Sequence, residues 1–302
     1  MLSEVDAVNL RMVGMERERV QFELLTSVDS RTRLTLETTR ENLCCRIIDL
    51  IAPVGLGQRG VIAGPAASGK CLVLENIANA ITVNHPEVVL LSLLIDQHPE
   101  DVAAMRRSLK GSVVYTTAEE PAVRHVHLAE LVIERARRLV ESKHDVVVLL
   151  DSLTSLASAY QHLMPPRLLA DDMALTCSEK AVRLFEAARC CKEGGSLTIL
   201  ATVETGAASS QAGFLEQILS VTDLQIFLDR EVLDQGLFPS GNIHLSRNQH
   251  AEHLLAKEDL SRIWVLRKVL EPLSPSEALR LLGGKLLATR SNSQFLSNMS
   301  SI

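Results

Sequence analysis

The stretch Gly64-Pro65-Ala66-Ala67-Ser68-Gly69-Lys70-Cys71 is one residue short of the phosphate-loop pattern G-x-x-x-x-G-K-[ST]. In that pattern the glycines let backbone N–H groups converge on phosphate oxygens. The lysine reaches the β- and γ-phosphates, and the last hydroxyl holds Mg²⁺. Cys71 stands where the hydroxyl belongs. A thiol is a poor ligand for a hard cation that prefers oxygen. The loop is therefore suited to bind a nucleotide and less suited to hydrolyse one. Context decides the motif's meaning. Gly60-Val61-Ile62-Ala63 before it reads as a buried strand, and Leu72, Ile77, Ala78 and Ile81 after it fall near helical spacing. Strand, glycine turn and helix is the required arrangement; the competing reading is a small-residue turn in an ordinary α/β domain.

The same alternation continues along the chain. Apolar runs at Val88–Ile95, Val146–Leu150, Leu197–Ala201 and Leu224–Leu228 read as strands, and Ala122–Glu141 carries apolar residues at helical spacing. Strands alternating with helices imply an α/β domain, a mostly parallel sheet covered on both faces. Residues 1–50 read as short connector elements packed on a main domain of 51–302, with strands expected at Val20–Leu25 and Arg33–Leu36. Ser274-Pro275-Ser276-Glu277 reads as a helix start with cap, proline and capping-box glutamate. The Ser- and Asn-rich tail from Ser291 is expected to fray.

Composition narrows the function. Aromatic content of 3%, with Trp264 the sole tryptophan, argues against rows of base-stacking platforms. A net charge of −6 disfavours a broadly basic nucleic-acid surface but leaves room for a local basic ring. The six cysteines form no C-x-x-C spacing, so a cysteine zinc site is unsupported. No signal core occupies the first residues, and no apolar run reaches the roughly 18 residues that span a bilayer. A cytoplasmic protein with reduced thiols is expected.

Two strand ends carry candidate chemistry. Leu94-Ile95-Asp96-Gln97-His98 ends the second strand, where loop NTPases commonly place the carboxylate that polarises the attacking water. Val146-Val147-Val148-Leu149-Leu150-Asp151 ends in the carboxylate expected to order Mg²⁺ through its water shell. An apolar strand ending in Asp is common, and the phosphate loop upstream gives it weight.

At these residues the chain resembles the motor domain of the transcription termination factor Rho family. The resemblance runs from about Val5 to the end and includes Gly57-Gln58-Arg59-Gly60, Asn84-His85-Pro86, Leu93-Leu94-Ile95-Asp96, Asp151-Ser152-Leu153-Thr154 and Trp264-Val265-Leu266-Arg267-Lys268. It implies a RecA-like fold and a hexameric ring with ATP between subunits and RNA through the centre. It also implies nucleotide contacts at Gly64, Ala67, Ser68, Gly69, Lys70, Cys71, Leu72 and Phe238, with Gln97 and Asp151 at the catalytic positions. Metal would rest on Asp151 and, weakly, Cys71. The resemblance covers the motor part of the family alone, and a counterpart of its amino-terminal RNA-binding domain is not expected in these residues.

The departures fall on the chemistry. Gln97 replaces the family's water-activating Glu, and an amide is no general base near neutral pH. His98 and Gly236 replace arginines, Ala67 a second loop lysine and Cys71 a threonine. No arginine aligns with the inserted finger near Gln249-His250, and Arg247 is the candidate for a shifted substitute; such fingers supply ~10³–10⁵ in rate. In the channel loops Arg167 is the one remaining cation, and Ala208 replaces an RNA-gripping lysine. Three functions compete: an active RNA-dependent ATPase, a pseudo-ATPase that modulates a full-length Rho or shares its ring, and a decayed paralogue. Elsewhere blander readings are preferred. Cys190-Cys191 is expected to pack on a helix over Glu179–Lys192. His125 and His127 are expected to make local hydrogen bonds or face solvent. Arg135, Arg137 and Arg138 with Glu130, Glu134 and Glu141 read as a solvated helix face.

Overall fold

The computed structural model describes residues 7–8, 11–12, 20–109, 111–163, 171–206 and 209–299. The chain opens with a two-stranded pair, β1 (Ala7–Val8) and β2 (Arg11–Met12), then β3 (Ser27–Val28), β4 (Arg33–Leu34), α1 (Leu43–Ile51) and β5 (Val54–Gly55). The main alternation follows as β6 (Arg59–Gly64), α2 (Lys70–Asn84), β7 (Val89–Gln97), α3 (Pro99–Ser108), β8 (Ser112–Thr117), α4 (Ala122–Glu141) and β9 (Val146–Asp151). Next come α5 (Leu153–His162), α6 (Asp171–Phe185), β10 (Arg189–Cys191), β11 (Ser196–Glu204), α7 (Ser209–Ser220) and β12 (Leu224–Phe227). The chain closes with α8 (Arg230–Asp234), β13 (Arg247–Asn248), α9 (Ala251–Leu254), α10 (Lys257–Leu270), α11 (Pro275–Leu287) and α12 (Asn292–Met299).

The main sheet has the order β13-β12-β6-β11-β9-β7-β8, and every neighbour from β12 to β8 is parallel. Side chains alternate across a strand, so each of these strands feeds two cores. Ile62, Val147, Leu149 and Leu200 face the layer of α1, α2, α10, α11 and α12. Val61, Ala63, Val148, Leu150, Ile199 and Ala201 face α4, α5 and the described part of α6. The phosphate loop, Asp151, Gln97 and Glu204 all follow or end strands of this sheet at the same carboxyl edge, where ligands bind in open α/β sheets. No described helix is long and apolar enough to cross a membrane.

Five local expectations are overturned. Val20–Leu25 holds a 3₁₀ turn at Phe22–Leu24 in place of a strand. Phe22 is buried, its N–H donates 2.9 Å to Glu141 Oε1, and Arg137 and Arg189 lie over its ring. The reading of the α4 charges also changes: Glu141 is buried, accepting the Phe22 N–H and paired with Arg138 at 2.6 Å, not solvated. The strand expected over Arg33–Leu36 is paired only at Arg33–Leu34, because Leu36 and Glu37 give their N–H groups to the buried Asp49 carboxylate. The helix expected over Glu179–Lys192 ends at Phe185, and Cys190-Cys191 forms strand β10 between β11 and β3. The tail folds as α12, since Phe295 and Leu296 are buried against the α1, α10 and α11 layer. The capping box at Ser274 and Glu277 is present, and His125 bonds Thr116 Oγ1 at 2.8 Å.

Candidate nucleotide site

The loop between β6 and α2 has the build that anion binding needs. Gly69 precedes α2 with φ +87°, a conformation natural to glycine, and turns the chain so that the helix N-terminus faces the loop's hollow. The first helical bond there is Val73 N–H to the Gly69 carbonyl, at 3.1 Å. The amides of Gly69, Lys70, Cys71 and Leu72 are therefore the free donors of a helix start, with the positive end of its dipole behind them. Ser68 is fully buried, and its hydroxyl has no hydrogen-bond partner among the described residues. An orphan donor in such a cradle fits a phosphate oxygen. Ala67 is exposed at φ +55°, a strained setting for a residue with a Cβ.

Lys70 folds back onto the loop, donating to the carbonyls of Gly64 at 2.9 Å and Pro65 at 2.7 Å. Burial lowers its ammonium from the ordinary value, opposed by the charges of Glu204 and Asp151. Glu204 was not anticipated. It ends β11 directly opposite Gly64 in the parallel register. Its signal, an apolar strand closing on an acid, is the one that singled out Asp151.

Asp151 is buried at the end of β9. Its Oδ1 accepts from Thr202 Oγ1 at 2.5 Å and its Oδ2 from Cys71 Sγ at 2.9 Å. Thr202 points that way because it shares the sheet face of Leu200, two residues before it. Burial, with the Asp151 charge beside it, pushes the Cys71 thiol well up, so it stays protonated at neutral pH. The atom offered to a cation at the loop position is thus a neutral sulfur. This donor set does not fit Mg²⁺ as a hydroxyl would, and Asp151 is left as the hard-oxygen carboxylate.

Gln97 closes β7 next to Asp151. A register shift between Leu94 and Gln97, with Asp96 at φ +59°, turns the strand end toward the site. Its amide donates 3.3 Å to both the Ile95 and Asp151 carbonyls. These are bonds an amide can make and a carboxylate cannot. His98, exposed, begins α3 as its N-cap residue.

Phe238 is brought to the loop from the far side. Its ring edge lies 3.9 Å from where a Gly69 Cβ would stand, and it is 37% exposed. Ser240 anchors this segment by donating 2.5 Å to the Ser68 carbonyl. Gly236 sits nearby at φ +74° with open space around it. The phosphate-loop residues Gly64, Ala67, Ser68, Gly69, Lys70, Cys71 and Leu72, together with Gln97, Asp151 and Phe238, thus lie together at the carboxyl edge of the sheet. The structure separates Arg247 and His250 from them: both follow or form β13, whose residues Arg247 and Asn248 pair with the amino-terminal half of β12, the sheet's opposite edge. Arg167 and Ala208 lie outside the described residues.

Comparison with known proteins agrees with this geometry. The profile of the ATP synthase alpha/beta family, nucleotide-binding domain, matches residues 44–247. A solved ATPase from the type III secretion system of pathogenic bacteria superposes with a TM-score of 0.74 over 92% of this chain and 86% of its own. At 19% identity it speaks for the fold alone. The transcription termination factor Rho of Chromobacterium violaceum is 44% identical over 305 residues, covering 99% of this chain and 73% of that protein. The Rho proteins of Allochromatium vinosum and Escherichia coli K12 are 41% and 39% identical over the same shares. With a RecA-like sheet, a phosphate loop at its carboxyl edge and this identity along nearly its whole length, the chain belongs to the transcription termination factor Rho family.

Proposed function

We propose that this chain is an ATP-binding Rho-family protein that acts in transcription termination with impaired hydrolysis and translocation, as a pseudo-ATPase or a modulator of a full-length Rho. The observation that carries the reading is the pair at the base of the hollow. Gln97 spends its amide on two backbone carbonyls, and Cys71 gives its S–H to the Asp151 carboxylate. General-base catalysis requires a group that can take a proton, and the Gln97 amide cannot. Binding relies on other parts: the helix amides, Lys70, the Ser68 hydroxyl and the Phe238 ring. These persist, so affinity for the nucleotide survives the loss of chemistry. ATP is the nucleotide in this reading, held with weakened Mg²⁺.

The assembly that goes with this role is a homo-hexamer or a mixed ring with a full-length Rho, with RNA held weakly through Arg167. Trp264, Val265 and Val269 form an exposed apolar face on α10, a surface that favours burial against a neighbouring subunit. Isothermal titration with ATP tests the first half directly. Saturable binding that is lost in Lys70→Ala is the expected result. Absence of binding at millimolar ATP would end the reading.

A further inference from the structure

We propose that His250, Glu252 and His253 form a binding site for a divalent transition-metal ion of the zinc class, at the sheet edge opposite the nucleotide hollow. One ligand atom from each of the three lies within 4.8 Å of the others. His253 Nε2 is 3.4 Å from Glu252 Oε1, and His250 Nδ1 is 4.0 Å from that same oxygen. Tetrahedral zinc with bonds of about 2.0–2.2 Å sets its donor atoms roughly 3.3–3.6 Å apart. The first pair already stands at that spacing. The second closes to it by a small rotation of the exposed Glu252 side chain.

The backbone presents the three side chains together. His250 is the N-cap of the short helix α9, and the His253 N–H bonds the His250 carbonyl at 3.1 Å, closing one turn. The His250 N–H in turn donates 2.8 Å to Asn248 Oδ1. Asn248 is buried and tied by its own amide to the Pro53 carbonyl at 2.6 Å and Gln58 Oε1 at 2.8 Å. The turn that carries the cluster is therefore pinned to the core.

A second feature points the same way. While His250 Nδ1 faces Glu252, its other ring nitrogen faces Asp223 Oδ1 at 3.8 Å. Metal-bound histidines nearly always give the remote N–H to a carboxylate, which fixes the tautomer and raises the ring's basicity. Asp223 is rigidly held for that task, paired twice with the Arg59 side chain at 3.0 and 3.1 Å and accepting the Arg59 N–H at 2.9 Å. A hollow of about 550 Å³ opens beside the two histidines and leaves space for water or a substrate as the fourth ligand. Two imidazoles and one carboxylate favour zinc, cobalt and nickel over magnesium and calcium, which take all-oxygen shells.

The test uses the full chain after chelator treatment, titrated with Zn²⁺ calorimetrically and with Co²⁺ by visible absorption. One ion per chain is expected, with the d–d bands of a low-coordinate nitrogen–oxygen site and no thiolate charge-transfer band. His250→Ala and His253→Gln each abolish stoichiometric binding, and Asp223→Asn weakens it about tenfold through the lost second-layer carboxylate. Both histidines are exposed, so these two variants keep the fold; should Asp223→Asn unfold, they carry the test alone. Absence of saturable binding, binding unchanged in the two histidine variants, or a thiolate band from Cys190 at the rim of the hollow would overturn the proposal. None of these readouts depends on nucleotide binding or turnover.

Discussion

At the scale of single residues, the proposed loss of turnover rests on Gln97 and Cys71. Glutamine has the size of glutamate but trades an acceptor for a donor, and Gln97 uses that donor on the Asp151 and Ile95 carbonyls. Cysteine offers a soft sulfur where a threonine hydroxyl would offer a hard oxygen. The Cys71 S–H donates a hydrogen bond to Asp151 Oδ2 at 2.9 Å. Groups of a catalytic unit act non-additively. Gln97→Glu combined with Cys71→Thr is expected to raise phosphate release by more than the product of the two single gains, each of which stays small. Steady-state phosphate assays at saturating ATP and Mg²⁺ check this. A double variant as inactive as the parent would mean that the block lies elsewhere.

Arg46 shows the opposite use of a charged residue. It is fully buried in α1 and donates to the Leu286 and Thr289 carbonyls, Thr289 Oγ1 and Asn292 Oδ1, while pairing with Glu37 at 3.2 Å. Its five N–H groups hold the first helix of the chain to the last two. Arg46→Met leaves those acceptors and Glu37 without their partner and is expected to cost about 3–5 kcal/mol. The midpoint of urea unfolding reads that loss, and a shift near zero would show that the network is dispensable.

At the scale of elements, the parallel strands and α4 were legible because their apolar runs are long and their period is clear. The loop after β6 was legible because its glycines and lysine have few other uses. What escaped the sequence was decided by distant partners. Val20–Leu25 alternates like a strand, yet Glu141, more than a hundred residues on, takes the Phe22 N–H and folds the segment as a turn. Cys190-Cys191 followed a helical pattern but lies where β3 and β11 both have an open edge to fill. The Ser- and Asn-rich tail reads as soluble because, among its described residues, Phe295 and Leu296 are the only buried apolar side chains. Within the site, Thr202 escaped because its role comes from β9, which brings Asp151 beside it, and Glu204 because the signal of a strand ending in an acid is read at Asp151 alone. If α12 packs as described, Phe295→Ala should destabilise the chain by about 3–5 kcal/mol in chemical denaturation. A frayed tail would give no measurable change.

At the scale of the whole molecule, the fold has a core on each face of one mostly parallel sheet, with the phosphate loop at its carboxyl edge. The net charge of −6 gives no broad field to attract RNA, and aromatic platforms are scarce. Single-stranded RNA is accordingly expected to bind with Kd no tighter than roughly 10⁻⁴–10⁻⁶ M at physiological salt, the range of non-specific contacts. Filter binding over a salt series measures it. Nanomolar affinity abolished by Arg167→Ala would indicate a working channel.

The central claim is that this chain holds ATP without turning it over. Phosphate release from the purified protein saturated with Mg²⁺-ATP, with and without polypyrimidine RNA, addresses it most directly. The account predicts bound ATP that stays intact, with turnover orders of magnitude below the roughly 1–10³ s⁻¹ usual for enzymes and no response to RNA. Brisk, RNA-stimulated phosphate release would contradict it and make the chain an active Rho-type motor.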